Sequence, residues 1–268
     1  MARTVHLSST RSPHIQRVRD IAAGSEETAM VVDGARLVGE VLASPLRIEL
    51  AVLAEGFAAS EAGNRLKAEL GARAGEIAIA TEAVVERMSS LTTPQGVLVI
   101  CQRPRSTPSD LCGAKGSSAL IVVAAGVRDP GNLGAMLRAT EAAGGTGFVA
   151  LRGSADPFRD KAVRGSSGSI LRVPTLAGMT VDELCAFANE RGLHIVTTDG
   201  QEGADYLDAD LRSPTLLVLG SEGHGVPDEL VAAASARVRI PIRPPVESLN
   251  VAVATGVLLF EARRQRRG

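Results

Sequence analysis

The chain has 268 residues, enough for two modest domains, and 45% of them are apolar. A net charge of −1 excludes a basic signature spread over the whole chain, though not segregated patches that bind nucleic acid. No apolar run approaches the roughly 20 residues that span a bilayer, and the start, MARTVHLSSTRSPHIQRVRD, has no apolar core of signal-peptide length.

Five Phe, one Tyr and no Trp leave the cores to Val, Leu, Ile and Ala, which suits parallel sheets covered by helices. Cys101, Cys112 and Cys185 form no CxxC and are odd in number, as in a reduced, cytoplasmic protein. His6, His14, His194 and His224 lack metal-ligand spacing, so no metal is expected. Only Lys67, Lys115 and Lys161 are lysines. A GC-rich genome explains the arginine excess, while a guanidinium fork also suits phosphates and bases.

In chain order, SPHIQRVRDIAAG predicts a helix with Ser12 as N-cap, Pro13 at its first position and Gly24 as its stop. TAMVVDG predicts a strand. ARLVGEVLAS predicts an amphipathic helix with Leu37, Val41 and Leu42 on one face. IELAVLAEG reads as a strand, ASEAGNRLKAELGARAG as a helix and EIAIAT as a short strand. VVERMSSL reads as a helix and GVLVICQ as a strand. These make a small α/β domain over residues 1–102. RPRSTPSDLCGAKGSS, residues 103–118, has linker composition.

Residues 119–268 form the second domain. ALIVVAAG, GFVAL, HIVTTD and TLLVLGSE read as strands buried on both faces. NLGAMLRATEAAG, DKAVRGSSG and VDELCAFANERG read as the helices between them. This alternation implies a parallel sheet, whose ligands bind where loops leave the carboxyl ends of strands.

Three loops stand out. In VRDPGNLGAMLRATEAAG, Asn132 is placed to cap a helix, and Gly134 costs stability there unless something packs closely. Arg138 lies about 120° from Asn132 on a helical wheel, so both can border one cleft. An ion pair is the ordinary reading of such an arginine. In LGSEGHGVPDEL, Gly220, Gly223 and Gly225 let backbone approach a ligand. Glu222 at the strand tip either caps backbone N–H groups or meets that ligand. In PVESLNVAVATGVLLFE a helix is expected from Ser248 on, with Ser248 as cap. Asn250 falls in the first turn, on the buried face of Ala254 and Val257. A buried amide there needs partners. GxGxxG, GxxxxGK[ST] and GxSxG are all absent.

Together these loops resemble the SpoU (TrmH) family of RNA ribose methyltransferases, within the SPOUT superfamily. NLGAMLR matches its first motif, an Asn–x–Gly–x–x–x–Arg pattern, LGSEGHG its second, and IPI…ESLNVAVA its third. DPFRDKAVRGSSGSILRVP is similar to the family's intervening segment. SPHIQRVRDI, MVVDGARLVGEVL and LTTPQGVLVI resemble the small, ribosomal-protein-like α/β domain that binds substrate in many members.

The resemblance implies a parallel-sheet SPOUT domain with a deep trefoil knot, the last helix threading behind LGSEGHG. It implies S-adenosylmethionine as cofactor and a homodimer with its site near the subunit interface. The reaction it implies is 2′-O-methylation of RNA. Cofactor contacts would come from Leu219, Gly220, Glu222, Gly223, Ile240, Ile242, Ser248, Leu249 and Asn250. Asn132, Arg138, Glu222, Ser248 and Asn250 would form the catalytic group. Arg138 is the family's proposed base, yet a guanidinium is normally always charged, so it can equally stabilise developing alkoxide. RNA would meet Arg11, Arg17 and Arg19, and Arg159, Lys161 and Arg164. Large-subunit ribosomal RNA is the expected substrate. Transfer RNA, methylation of a base nitrogen and a non-catalytic RNA-binding role remain as alternatives.

Overall fold

The structure, a computed structural model, describes residues 2–114, 118–221 and 223–267. The chain divides into two compact units. One comprises Met1–Pro104 with Phe158–Arg164, the other Arg105–Pro157 with Gly165–Gly268.

The first unit runs β1 (Arg3–Leu7), α1 (Pro13–Ala23), β2 (Ala29–Asp33), α2 (Ala35–Ala43), β3 (Ile48–Ala54), α3 (Glu55–Ala59), α4 (Glu61–Arg73), β4 (Ala74–Ala80), α5 (Glu82–Met88) and β5 (Val97–Gln102). Its sheet has the order β1-β4-β3-β5-β2, with β5 antiparallel to both neighbours and the other pairs parallel. Helix α1 starts and stops as expected: the Ser12 hydroxyl accepts from His14 N–H, and Gly24 closes the helix at φ 89°. The buried face of α2 is Leu37, Val38 and Val41, while Leu42 is only half-buried, a small rotation from the expected stripe. Strands and helices bury Val18, Val52, Ala78, Val84, Leu98 and Ile100 as one core. β1 was not anticipated. RTVHL is a mostly exposed edge strand, and its parallel register with β4 is a tertiary fact that local pattern does not carry.

The second unit opens with a 3₁₀ turn at Pro108–Cys112 and continues β6 (Leu120–Ala125), α6 (Pro130–Ala143), β7 (Gly147–Leu151), α7 (Asp160–Ser166, its last two residues in this unit), β8 (Thr175–Met179), α8 (Val181–Arg191), β9 (His194–Asp199), β10 (Ala204–Asp205), β11 (Thr215–Gly220), α9 (Asp228–Ala232), β12 (Ala236–Arg239) and α10 (Val251–Arg266). The sheet order is β10-β12-β9-β11-β6-β7-β8, and every pair is parallel. Val/Leu/Ile-rich strands produce this because both faces are covered. β8 and β10 are short and weakly apolar and were not foreseen. The segment read as linker is partly core: Leu111 is fully buried among Ile121, Val149 and Leu216.

Two features position the site. From β6 the chain steps to β7 and β8 on one side, then returns to β9 and β11 on the other. This leaves β6 and β11 adjacent, Ala125 opposite Gly220, at a topological switch point. At the opposite ends of the same strands, Arg266 near the end of α10 donates to the carbonyls of Ser118, Ala119, Leu211 and Ser213 and reaches Thr215 Oγ1. Among the described residues no helix is long and apolar enough to cross a membrane, and no three His, Cys, Asp or Glu side chains are grouped to hold a metal.

Candidate active site

Two adjoining cavities open at the carboxyl ends of β6 and β11. The first, about 240 Å³, has walls from Val238, Ile240, Ile242, Leu249 and Leu258, with Gly200, Gly220, Gly223 and Gly225 at its polar rim. Apolar walls with backbone at the rim suit a flat heteroaromatic group whose edges need hydrogen bonds. The second, about 250 Å³, includes Arg128, Asn132, His224 and Val251 and shares Ser221 and Gly223 with the first.

The loop after β11 owes its shape to glycine. Ser221 and Gly225 exchange both backbone hydrogen bonds, at 3.2 and 2.9 Å, with Gly225 at φ 67°. The Ser221 hydroxyl accepts from His224 N–H at 3.2 Å. A Cβ on Gly220 would lie 2.1 Å from the Gly225 carbonyl carbon and 2.4 Å from Val226 N. Those are backbone atoms and cannot swing aside. Gly220→Ala is expected to cost roughly 1–3 kcal/mol, read as an earlier midpoint in urea unfolding. An unchanged midpoint would mean that the loop closes another way.

The wall after β9 is held by Asp199. Its Oδ1 accepts from Gln201 N–H at 2.7 Å and Glu202 N–H at 2.8 Å, and its Oδ2 pairs with Arg237. The Glu202 and Gln201 amides, then Arg237, hold its carboxyl below the ordinary carboxylate range. A depressed acid stabilises the fold above its unfolded pKa and loses that contribution as pH falls through the folded value. Asp199→Asn is therefore expected to cost about 1 kcal/mol at neutral pH in this solvent-touched site. Paired unfolding curves should converge as the pH is lowered into the acid range.

The structure joins the first and third motifs. Asn250 Nδ2 donates to Asn132 Oδ1 at 3.0 Å, across 118 positions of chain. The local roles differ from expectation. Asp129, not Asn132, caps α6, accepting from Gly131 N–H at 3.1 Å, because Pro130 occupies the first helical position. Asn250, not Ser248, caps α10, accepting from Ala252 N–H at 3.0 Å. The helix starts at Val251, so Asn250 is exposed rather than buried on the face of Ala254 and Val257. Something does pack closely at Gly134: a Cβ on Gly165 of α7 would come within 3.3 Å of the Gly134 Cα.

Of the residues expected around the cofactor, Gly220, Gly223, Ile240, Ile242, Ser248 and Leu249 line the first cavity. Leu219, expected to contribute through its backbone, is not in that lining, and its side chain is fully buried in β11. Asn250 stands beside the cavity rather than in its lining, and Glu222 lies outside the described residues. Arg138 is exposed on α6 and lines neither cavity. It makes no hydrogen bond or ion pair among the described residues. Sequence reasoning missed Thr198, Asp199, Gly200, Ser221 and Val238, and Ala254 and Leu258 on the cavity side of α10. A carboxylate and a glycine at the tip of buried HIVTTDG are the same signal that singled out Glu222.

The arginines expected to meet RNA are partly committed elsewhere. Arg17 pairs with Glu49, Arg19 donates to the Arg87 carbonyl at 3.0 Å, and Arg164 pairs with Asp160.

Comparison with known proteins adds the following. Residues 119–260 match the SpoU rRNA Methylase family, and residues 16–99 match an MRM3-like substrate binding domain. An uncharacterized tRNA/rRNA methyltransferase of Synechocystis is 30% identical over 266 residues, covering 97% of this chain and 94% of its own. The 23S rRNA (guanosine(2553)-2′-O)-methyltransferase of Bacillus subtilis is 28% identical, with 96% and 98% covered. The crystal structure of an AdoMet-bound rRNA methyltransferase from Sinorhizobium meliloti superposes with a TM-score of 0.86 at 29% identity, covering 97% of this chain and 98% of that one.

Proposed function

This chain belongs to the SpoU rRNA methylase family, and we propose that it transfers the methyl group of S-adenosylmethionine to a ribose 2′-hydroxyl of large-subunit ribosomal RNA. The observation that carries the reading is the pair of adjoining cavities at the switch point, tied by the hydrogen bond between Asn132 and Asn250.

The residues fit the cofactor. Val238, Ile240, Ile242, Leu249 and Leu258 exclude water from a purine, and backbone around Gly220 and Gly223 supplies edge hydrogen bonds. The cofactor, when bound, supplies a methyl group on a sulfonium. This chain supplies placement, which alone lowers such a barrier by about 7–11 kcal/mol. Asn132, Ser248 and Asn250 orient the ribose and cofactor. Arg138 stabilises negative charge growing on the 2′-oxygen or holds the neighbouring phosphate. Glu222 is kept in the catalytic group on family membership alone. RNA reception is assigned to residues 1–102 and catalysis to residues 119–268, joined through 103–118.

The working form is read as a homodimer. Val253, exposed to 54%, and Phe260, to 51%, sit seven residues apart on one face of α10 with half-buried Val257 between them. A second copy covers such a stripe and brings Arg138 to a site outside its own chain. The trefoil knot follows from the same membership and is supported by Ser248 and Leu249, just ahead of α10, sharing a cavity with Gly220 and Gly225. Three free cysteines and a ribosomal substrate support the cytoplasm as its location.

The test is methyl transfer from labelled S-adenosylmethionine to purified ribosomal RNA and transfer RNA, followed by nuclease digestion and mass mapping. One 2′-O-methyl mark on large-subunit RNA is expected. A mark on transfer RNA alone would move the substrate, a mark on a base nitrogen would change the reaction, and absence of both cofactor binding and transfer would leave a non-catalytic RNA-binding protein.

A further inference from the structure

The second cavity contains a cation that the family motifs do not account for. Arg128 lies between the end of β6 and the start of α6, exposed, and lines this cavity. The backbone just before it is fixed: Val127 is 3% exposed, and its carbonyl accepts from Ala155 N–H at 2.9 Å. Several arginines of this unit are engaged, Arg172 with Glu141, Arg237 with Asp199 and Arg264 with Glu261, whereas Arg138 is uncommitted among the described residues but lines neither cavity. Arg128 makes no hydrogen bond or ion pair among the described residues. Its acidic neighbour Asp129 is the cap of α6, with Oδ1 turned to Gly131 N–H. His224, on the loop that Ser221 and Gly225 close, lines the same cavity.

We propose that Arg128 anchors a phosphodiester of the RNA beside the target ribose, with His224 offering its ring to the adjoining nucleotide. The proposal rests on RNA being the substrate. A planar guanidinium meets phosphate oxygens through two parallel N–H donors, which fixes register without reading sequence. The cavity is the right place for that contact, because it shares Ser221 and Gly223 with the cofactor cavity. An unstacked base beside that phosphate can rest on an imidazole. Arg128 is a positioning residue: it sets where the strand lies and takes no part in proton or methyl movement.

The experiment measures binding of an unmodified large-subunit ribosomal RNA transcript by fluorescence polarisation across a salt series. Wild type is compared with Arg128→Ala, Arg128→Lys and His224→Ala. Arg128→Ala is expected to weaken binding by about 5–30-fold at low salt and to flatten the slope of log K against log salt by about 0.7, one single-strand phosphate contact. Arg128→Lys restores the slope without the full affinity, which a merely structural role would not do. His224→Ala weakens binding and leaves the slope alone. S-adenosylmethionine affinity stays unchanged in all three. Equal affinity and slope for wild type and Arg128→Ala overturn the proposal, even if methyl transfer is robust. A flattened slope in a protein that transfers no methyl group would instead retire the methyltransferase reading and keep the anchor. If inorganic phosphate at millimolar concentration shifts wild type and Arg128→Ala equally, the cavity does not hold the RNA phosphate and the proposal falls.

Discussion

Arg138→Ala is expected to slow methyl transfer by about 10²–10³-fold while S-adenosylmethionine affinity stays within about twofold. The two halves have separate grounds. Arg138 lines neither cavity, so removing its side chain leaves the cofactor walls as they are. Its charge is uncommitted among the described residues and is available to oxygen developing negative charge. A guanidinium is a poor proton acceptor, so transfer that keeps its pH profile in Arg138→Lys, at reduced rate, would favour charge stabilisation over base catalysis. Co-expressing Arg138→Ala with Asn132→Ala chains separates one-chain from shared sites. In a homodimer whose site borrows Arg138 from the second copy, about a quarter of wild-type activity returns. A site built from one chain returns none. Normal turnover of Arg138→Ala would remove this residue from the mechanism altogether.

Arg266→Ala is expected to destabilise the second unit by roughly 2–4 kcal/mol, since carbonyls lose a charged partner that the truncated side chain cannot replace. The acceptors come from three places in the chain: Ser118 and Ala119 before β6, Leu211 and Ser213 before β11, and Thr215 at its start. Burial pushes the Arg266 pKa down, with Asp210 opposing, so this charge is held at a desolvation cost that the hydrogen bonds must offset. Urea unfolding, followed on the transition that S-adenosylmethionine delays, reads the loss directly. Arg266→Lys is expected to recover less than half, because an ammonium cannot span the same carbonyls. A midpoint indistinguishable from wild type would mean that water satisfies them.

Much of this architecture was legible in the residues, and the reasons for success and failure differ. Strands such as LIVVAA and TLLVLG announce themselves, because burial on both faces leaves an unbroken apolar run. α1 announces itself through Ser12, Pro13 and Gly24, each acting over one turn. β1 and β8 do not, since their places depend on partners distant in sequence. The site followed the same rule. Gly220, Ile240 and Leu249 were found through motif order, whereas Asp199 and Val238 enter the cavity only because β9 and β12 pair side by side. The caps were misassigned by two and three residues because Asn132 and Ser248 are good capping types. Pro130 and the start of α10 at Val251 decided which neighbours served.

Helix α10 is pinned at both ends. Asn250 meets Asn132 where the cavities open, and Arg266 grips the strands where they begin. Its 16 residues rise about 24 Å, close to the roughly 20 Å of a six-residue strand running the other way. The helix thus serves as a gauge block for the sheet. Substitutions on its outward face change what it presents without altering that length. A single inserted or deleted residue would turn one end by about 100° relative to the other, so either the amide or the guanidinium would miss its target. Drift in this helix should therefore run through replacement of side chains, with indels confined to the loops before it.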